Sequence, residues 1–259
     1  SPLSSVAIPA GAGQVFSPPS HGYKGHMAVA RLLCSQAQAP GGANLRLLCF
    51  LGSTRTAGPP LPARVGERVT KFCDQLLRAR GHHVEIVDPL VVQLPLLRKP
   101  QFAYRPGEAP AEMDELHLKI RAADGYVMVS PEYNHSASPA LVNLLNHFPS
   151  SSFSYKPSAI CTYSAGQWGG ARAAIALRPI LSELGCLPVS AMVHVPEAGK
   201  VFDKEGQPVS DKDRWEKYFT RTFAQLEWWA HAAQRQRDLA DPFRDSPALD
   251  RDPSQRNAP

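Results

Sequence analysis

Residues 45–56 read LRLLCFLGSTRT, a short apolar run that stops at a glycine and continues into polar residues. A run of this length bounded by a turn signal predicts a buried β-strand over residues 45–51. Apolar side chains then recur at helical spacing over residues 63–80, and Gly81 provides a stop signal. The ordered part of the chain is therefore expected to begin with a strand, a polar turn and a helix.

The same alternation continues along the chain. Further strands are predicted at residues 83–88, 126–130, 158–163 and 187–195, and further helices at residues 111–123, 139–147, 170–184 and 215–234. Strict alternation of strand and helix requires right-handed crossovers and gives a parallel sheet with helices on both faces. We expect an α/β fold, a flavodoxin-like three-layer sandwich with five parallel strands in the order 2-1-3-4-5. Its ligand site would lie at the carboxyl ends of the strands, beside the first and third strands.

The two ends of the 259-residue chain differ in composition from this periodic part. Residues 1–43 are rich in Pro, Gly, Ser and Ala and contain no acidic residue, so we expect a disordered or loosely packed arm. Met27 is a candidate native start, and the acid-free segment leaves mitochondrial import open beside a cytoplasmic location. The predicted domain spans residues 44–236, and residues 237–259, where Pro and charge return, are expected to form a flexible tail.

Cysteine usage and charge limit the classes of function. The five cysteines show no CxxC spacing, so neither a disulfide framework nor a metal site is expected, and a reducing compartment such as the cytoplasm is favoured. The net charge of +5 comes from Lys and Arg interspersed with acids, which argues against nucleic-acid binding. No apolar run reaches the roughly 18 to 20 residues that span a bilayer, so no membrane association is expected.

The first loop with candidate chemistry is residues 52–56, between the first strand and the first helix. Its backbone N–H groups, the hydroxyls of Ser53 and Thr54 and the guanidinium of Arg55 can bind an anion such as a terminal phosphate. An ordinary turn with a capping serine is the alternative. The donors are fewer than usual because three nearby residues lack an N–H, namely Pro59, Pro60 and Pro62.

The second loop, residues 130–136 with the sequence SPEYNHS, follows the third strand. Its amides can face the polar edge of a planar heterocycle, Tyr133 can pack on the ring face, and Asn134 offers both a donor and an acceptor. The alternative is a proline-initiated turn in which Ser136 or Ser138 caps the next helix.

The third loop, residues 164–170 with the sequence SAGQWGG, follows the fourth strand. Three glycines in so short a segment predict positive φ angles or the close approach of backbone to a flat group. Trp168 can cover a ring there. A flexible connection with a surface tryptophan is the alternative.

Taken together, these segments resemble the NADPH-dependent FMN reductase family, which includes quinone, azo and chromate reductases. The resemblance covers residues 45–195, and the three motifs are specific in this order although each is weak alone. It is carried by Gly52-Ser53-Thr54-Arg55, by Pro131 to Ser136 with Pro139, Leu141 and Asn143, and by Ser164 to Gly170 followed by Ala171-Arg172-Ala173 and Leu177-Arg178.

The resemblance implies FMN as the cofactor and NADPH or NADH as the co-substrate. The flavin N5 would carry the hydride chemistry, so no catalytic side chain and no metal are implied, and small acceptors such as quinones, azo compounds or free flavin would be reduced in a ping-pong cycle. The implied cofactor-binding residues are Ser53, Arg55, Pro131, Glu132, Tyr133, Asn134, Ser164, Ala165 and Gly166. The implied NAD(P)H pocket consists of His135, Trp168 and Gly169.

Members of this family usually form dimers, so a homodimer, or a higher oligomer, is implied. This chain departs from the family pattern after Leu141, where the family often has Lys-Asn and then an acid but this chain has Val142, Asn143 and Asn146. Four residues are candidates for binding the 2′-phosphate of NADPH, namely Arg98, Lys99, Arg105 and Arg172.

Two other functions remain open. One is a flavodoxin-like electron carrier, and the other is a regulatory or binding protein on the same scaffold with weak flavin affinity.

Overall fold

A computed structural model describes residues 44–251 of the chain, and this part contains six strands and eight α-helices. A short 3₁₀ helix, Gln101–Ala103, lies between the second strand and the second α-helix. In chain order the elements are β1 Arg46–Leu51, α1 Val65–Ala79, β2 His83–Val87, α2 Ala111–Ala122, β3 Gly125–Pro131, α3 Pro139–Asn146, α4 Ser150–Phe153, β4 Lys156–Tyr163, α5 Ala171–Glu183, β5 Cys186–Pro188, β6 Val193–Val195, α6 Ala198–Val201, α7 Lys212–Leu239 and α8 Ala248–Arg251.

The strands form one parallel sheet in the order β2-β1-β3-β4-β5, which confirms the predicted flavodoxin-like α/β arrangement. All residues of β3 and β4 are buried because helices cover both faces of the sheet. One core lies between the sheet and helices α1 and α7, and includes Phe72 and Phe219. The other lies under α2, α3 and α5, and includes Ile120, Leu145 and Leu177.

The last predicted strand, residues 187–195, is divided in the structure. Both β5 and β6 pair with β4, so the sheet has six strands instead of the expected five. Between them, the Ala191 N–H donates to Gln225 Oε1 on α7 at 2.9 Å, and Arg178 on α5 donates to the Val189 carbonyl at 3.2 Å. The Gln225 and Arg178 side chains therefore hydrogen-bond backbone groups that a continuous strand would use to pair with its neighbour, and the strand is interrupted here.

The carboxyl-terminal helix α7 is longer than the predicted 215–234, since it runs from Lys212 to Leu239. After it, Phe243 contacts Tyr155 edge-on at 5.4 Å, and Asp250 in α8 lies 2.8 Å from Arg121. The flexibility of residues 237–259 remains a prediction, and the arm at residues 1–43 and the last eight residues lie outside the described part. None of the helices within residues 44–251 has the length and apolar composition needed to cross a membrane.

A partly buried cluster of charges fastens α7 to the turn between α1 and β2. Both Arg80 and His82 hydrogen-bond the Glu227 carboxylate, with His82 Nε2 at 3.0 Å from Oε1. Burial alone would raise the pKa of Glu227, but hydrogen bonds and charge from Arg80 and His82 lower it from 4.5 to about 2. The ionised carboxylate therefore stabilises the folded state.

Replacing Glu227 with glutamine is expected to lower the free energy of unfolding by about 1–3 kcal/mol near pH 7. Because the folded-state pKa is lowered, this contribution is complete above pH 4.5 and is lost as the pH falls toward 2. Denaturant titrations at pH 7 and pH 3.5 should therefore show a smaller difference between wild type and Glu227→Gln at the lower pH.

The matched control is Asp245→Asn, which removes an exposed ion pair with Arg244 and should leave stability unchanged. An equal loss for Glu227→Gln at both pH values would contradict the proposed role of the charge.

Candidate active site

The three predicted loops meet at the carboxyl edge of the sheet, around one cavity of about 330 Å³. This volume lies in the range of small-molecule sites. The first loop contributes Ser53 and Arg55, the second Pro131, Glu132 and Tyr133, and the third Ser164 and Ala165. Residues that the sequence analysis did not place there complete the wall, namely Pro59, Pro60, Leu61, Pro62, Val65, Tyr163 and Gly199.

Gly52 sets the direction of the first loop. Its N–H donates to the Val129 carbonyl of β3 at 2.7 Å, and its carbonyl accepts from Ser138 Oγ at 2.5 Å. A Cβ at position 52 would lie only 2.7 Å from the Val129 oxygen, so this approach requires glycine. The chain leaves β1 tightly against β3 and brings Ser53 to the cavity.

The first loop keeps several hydrogen-bond donors. Within residues 44–251, nothing accepts a hydrogen bond from the backbone N–H groups of residues 53–58. The Arg55 guanidinium lines the cavity while it donates to the carbonyls of Ala57, Gly58 and Pro62 at 3.3, 2.8 and 3.3 Å. These bonds fix the position of a positive charge beside the unused amides, an arrangement suited to a phosphate.

The second loop is a tight hairpin. The N–H of Tyr133 donates to the Ser136 carbonyl at 3.1 Å, and the N–H of Ser136 donates to the Tyr133 carbonyl at 2.9 Å. Asn134 and His135 between them have φ angles of 49° and 62°, the pattern of a type I′ turn. Tyr133 lines the cavity with 39% of its surface exposed, whereas Asn134 and His135 lie exposed at the tip, outside the lining.

The Glu132 side chain is hydrogen-bonded to Arg172. Its carboxylate accepts from Arg172 Nε at 2.8 Å and from the Arg172 N–H at 3.2 Å, and its own N–H donates to the Tyr163 carbonyl at 3.1 Å. Burial by itself raises the pKa of Glu132, but the hydrogen bonds and charge of Arg172 outweigh burial and hold the pKa below its ordinary value. The pair fastens the second loop to the start of α5.

The Glu132–Arg172 pair also affects which residues are available to bind the 2′-phosphate of NADPH. The charge of Arg172 is compensated by Glu132 at 2.7 Å, and Lys99 lies over the Tyr104 ring at 4.0 Å from its centroid. Neither Arg98 nor Arg105 has an ion-pair partner within residues 44–251.

The glycines of the third loop have two different roles. Gly169 and Gly170 have φ angles of 61° and 81°, and a Cβ at either would lie within 3 Å of other residues, the His194 backbone and the Thr162 Cβ respectively. Gly166, in contrast, has no atom within 4 Å of a hypothetical Cβ. Of these three glycines, only Gly166 has open space beside it, and it is exposed and lies outside the cavity lining.

None of the three residues of the predicted NAD(P)H pocket, His135, Trp168 and Gly169, lines the cavity. Gly169 is buried against β6, and Trp168 is 61% exposed on the surface. The loop is fixed instead through Ser164, whose N–H donates to the Val195 carbonyl at 3.1 Å and whose carbonyl accepts from the Ala198 N–H at 3.0 Å. Ser164 and Ala165 therefore present the third loop to the cavity.

Tyr163 is the main cavity residue that the sequence analysis missed. It is the last residue of β4 and is only 6% exposed, with its hydroxyl against Gly66 in the first turn of α1. Burial raises the pKa of this hydroxyl, an effect partly opposed by the neighbouring Ser53 hydroxyl, Arg55 charge and Gly66 amide. Side chains two residues apart in a strand point to the same face of the sheet. Because Cys161 is buried under α1, this alternation could have predicted that Tyr163 points to the same side.

Comparison with known proteins matches this chain to a reductase family and to individual reductases. The sequence profile described as NADPH-dependent FMN reductase matches residues 45–200. The chain is 35% identical over 138 residues to an NAD(P)H-dependent FMN reductase of Pseudomonas aeruginosa, covering 52% of this chain and 72% of that protein. It is 36% identical over 107 residues to a quinone reductase of Escherichia coli, covering 37% of this chain and 57% of that one.

Among solved structures, the chain is similar to a flavoenzyme NAD(P)H:(acceptor) oxidoreductase from Paracoccus denitrificans. The TM-score is 0.56 at 20% identity, and the match covers 71% of this chain and 97% of that one. This likeness concerns the fold.

Proposed function

Because the chain belongs to the NADPH-dependent FMN reductase family, we propose that it is an oxidoreductase that takes hydride from NAD(P)H and, through bound FMN, passes it to small acceptors. The observation that carries this proposal is the single cavity formed by all three loops beside β1 and β3. The similarity to a quinone reductase supports quinones as acceptors, with azo compounds and free flavin as further candidates.

The residues present fit FMN. The amides of residues 53–58, which have no acceptor in the described part of the chain, and the Arg55 guanidinium would hold the terminal phosphate. The flavin ring would lie between the second loop, Pro131 to Asn134, and the third loop, Ser164 to Gly166, where the space beside Gly166 is open.

Bound FMN supplies the hydride-accepting and hydride-donating centre, so the protein needs no nucleophile of its own. The task of the chain is to hold and orient the ring and to leave one face accessible. We propose that NAD(P)H and the acceptor bind in turn on the side of the exposed residues Tyr133, His135 and Trp168, in a ping-pong order.

The test is NAD(P)H oxidation by protein reconstituted with FMN, followed at 340 nm with menadione as the acceptor. The expected result is oxidation that requires both FMN and menadione, with parallel double-reciprocal plots. Protein that holds FMN but does not oxidise NAD(P)H would favour an electron carrier. Protein that does not bind FMN would favour a binding function, and either outcome contradicts the proposal.

We further propose that the enzyme is a homodimer. The segment after β2 exposes apolar side chains, with Val91 at 77%, Leu96 at 82% and Phe102 at 39% exposure. Asn143 on α3 holds this segment through the Pro95 carbonyl and the Leu97 N–H, both at 2.9 Å. Light scattering should give about twice the chain mass of 28.2 kDa, and a monomer would contradict the proposal.

The proposed compartment is a reducing one, the cytoplasm. The cysteines of the described part, Cys49, Cys73, Cys161 and Cys186, are all free and buried, which supports a reducing environment.

A further inference from the structure

Tyr163 stands where the three loops and α1 meet. It pairs with Pro131 of β3 and with Val195 of β6, and its carbonyl accepts the Glu132 N–H at 3.1 Å. Its backbone is thereby fixed to the second loop on one side, while the third loop begins at the next residue. The side chain lines the cavity and turns toward α1.

The hydroxyl of Tyr163 lies at the N-terminus of α1. This helix begins after Arg64, which has a φ of 52° and makes no side-chain cap. A Cβ at Gly66, the second residue of the helix, would overlap the Tyr163 hydroxyl. An oxygen from β4 therefore lies beside the first turn of α1, where the side chain of a capping residue would normally lie.

The surroundings of this hydroxyl suit an anion. A tyrosine hydroxyl offers one donor and two acceptor positions. Tyr163 lines the cavity together with Ser53 and Arg55, and its hydroxyl lies beside the first turn of α1. The hydroxyl can therefore donate to an anion bound in the cavity, where the positive end of α1 adds to the attraction.

We propose that Tyr163 is a phosphate-binding residue of the cavity, which makes the site select flavins that carry a terminal phosphate over flavins that lack one. The inference rests on the proposed function, since it names the part of FMN that this chain recognises. Tyr163 would thus give β4 a contact with the phosphate that the first loop would otherwise make alone. Three prolines close to that loop have no N–H with which to bind the phosphate.

The test is binding of FMN and of riboflavin, which lacks the phosphate, to wild type and to Tyr163→Phe. Removing only the hydroxyl is expected to weaken FMN binding about tenfold and to leave riboflavin binding unchanged. Inorganic phosphate should compete with FMN on the wild type but not with riboflavin. The melting temperature of each apoprotein reports whether the variant is folded.

The matched control is Tyr133→Phe, which removes the hydroxyl of the other cavity tyrosine and should change FMN and riboflavin binding equally. If Tyr163→Phe lowers the melting temperature but keeps the preference for FMN, the Tyr163 hydroxyl only stabilises the start of α1 and the inference is overturned. If the wild type binds FMN and riboflavin with equal affinity, the inference is also overturned but the proposed function is not. If the wild type binds neither flavin, the inference and the proposed function are both overturned.

Discussion

Replacing Arg55 with alanine is expected to weaken FMN binding about 100-fold, with a much smaller effect on riboflavin. The guanidinium lines the cavity beside amides that have no acceptor within the described residues, so the substitution removes the positive charge nearest to the proposed phosphate position. Fluorescence titration with the two flavins measures the effect.

Two further variants separate the effect of the Arg55 charge on FMN binding from its effect on the structure of the first loop. Arg55 also donates to three carbonyls of its own loop, so Arg55→Lys, which keeps the charge but loses the planar fork, should bind FMN with intermediate affinity. Arg98→Ala removes an arginine that does not line the cavity and should bind FMN as wild type does. Equal losses for FMN and riboflavin in Arg55→Ala would mean that Arg55 only shapes the loop.

Replacing Gly170 with alanine is expected to lower the free energy of unfolding by about 3 kcal/mol or more. The residue has a φ of 81°, and a Cβ there would lie 2.8 Å from the Thr162 Cβ and 3.0 Å from the Tyr163 backbone. Neither neighbour can move easily because both belong to the buried strand β4. Chemical denaturation of the apoprotein gives the stability change directly.

Gly166→Ala is the matched control in the same loop. Since nothing lies within 4 Å of its hypothetical Cβ, stability should change by no more than about 0.5 kcal/mol. The added methyl would enter the space proposed for the flavin ring, so FMN binding should fall. Full stability of Gly170→Ala would contradict the loop geometry, and unchanged flavin binding by Gly166→Ala would place the ring elsewhere.

The strand order could be predicted from the sequence because alternation of strand and helix leaves few topologies. The division of the last strand could not, because it depends on Gln225 and Arg178, which reach residues 189–191 from other elements. The short helices α4, α6 and α8 have only four residues each, too few for apolar periodicity to indicate them.

The convergence of the loops was predictable for a related reason, since the carboxyl ends of parallel strands meet at one edge. The direction of individual side chains was not. The sequence does not show that Glu132 bonds Arg172, forty residues away, or that Gly169 packs on His194. No loop motif indicates Tyr163, because it is the last residue of β4 and its strand position directs it into the site.

Titration of the purified protein with FMN tests the central claim most directly, because one cofactor must contact all three loops. The expected result is saturation at one FMN per chain, with a shifted visible spectrum and weaker binding in both Arg55→Ala and Gly166→Ala. A protein that stays colourless after incubation with FMN and dialysis, or that binds FMN with unchanged affinity in both variants, would show that the three loops do not form its site.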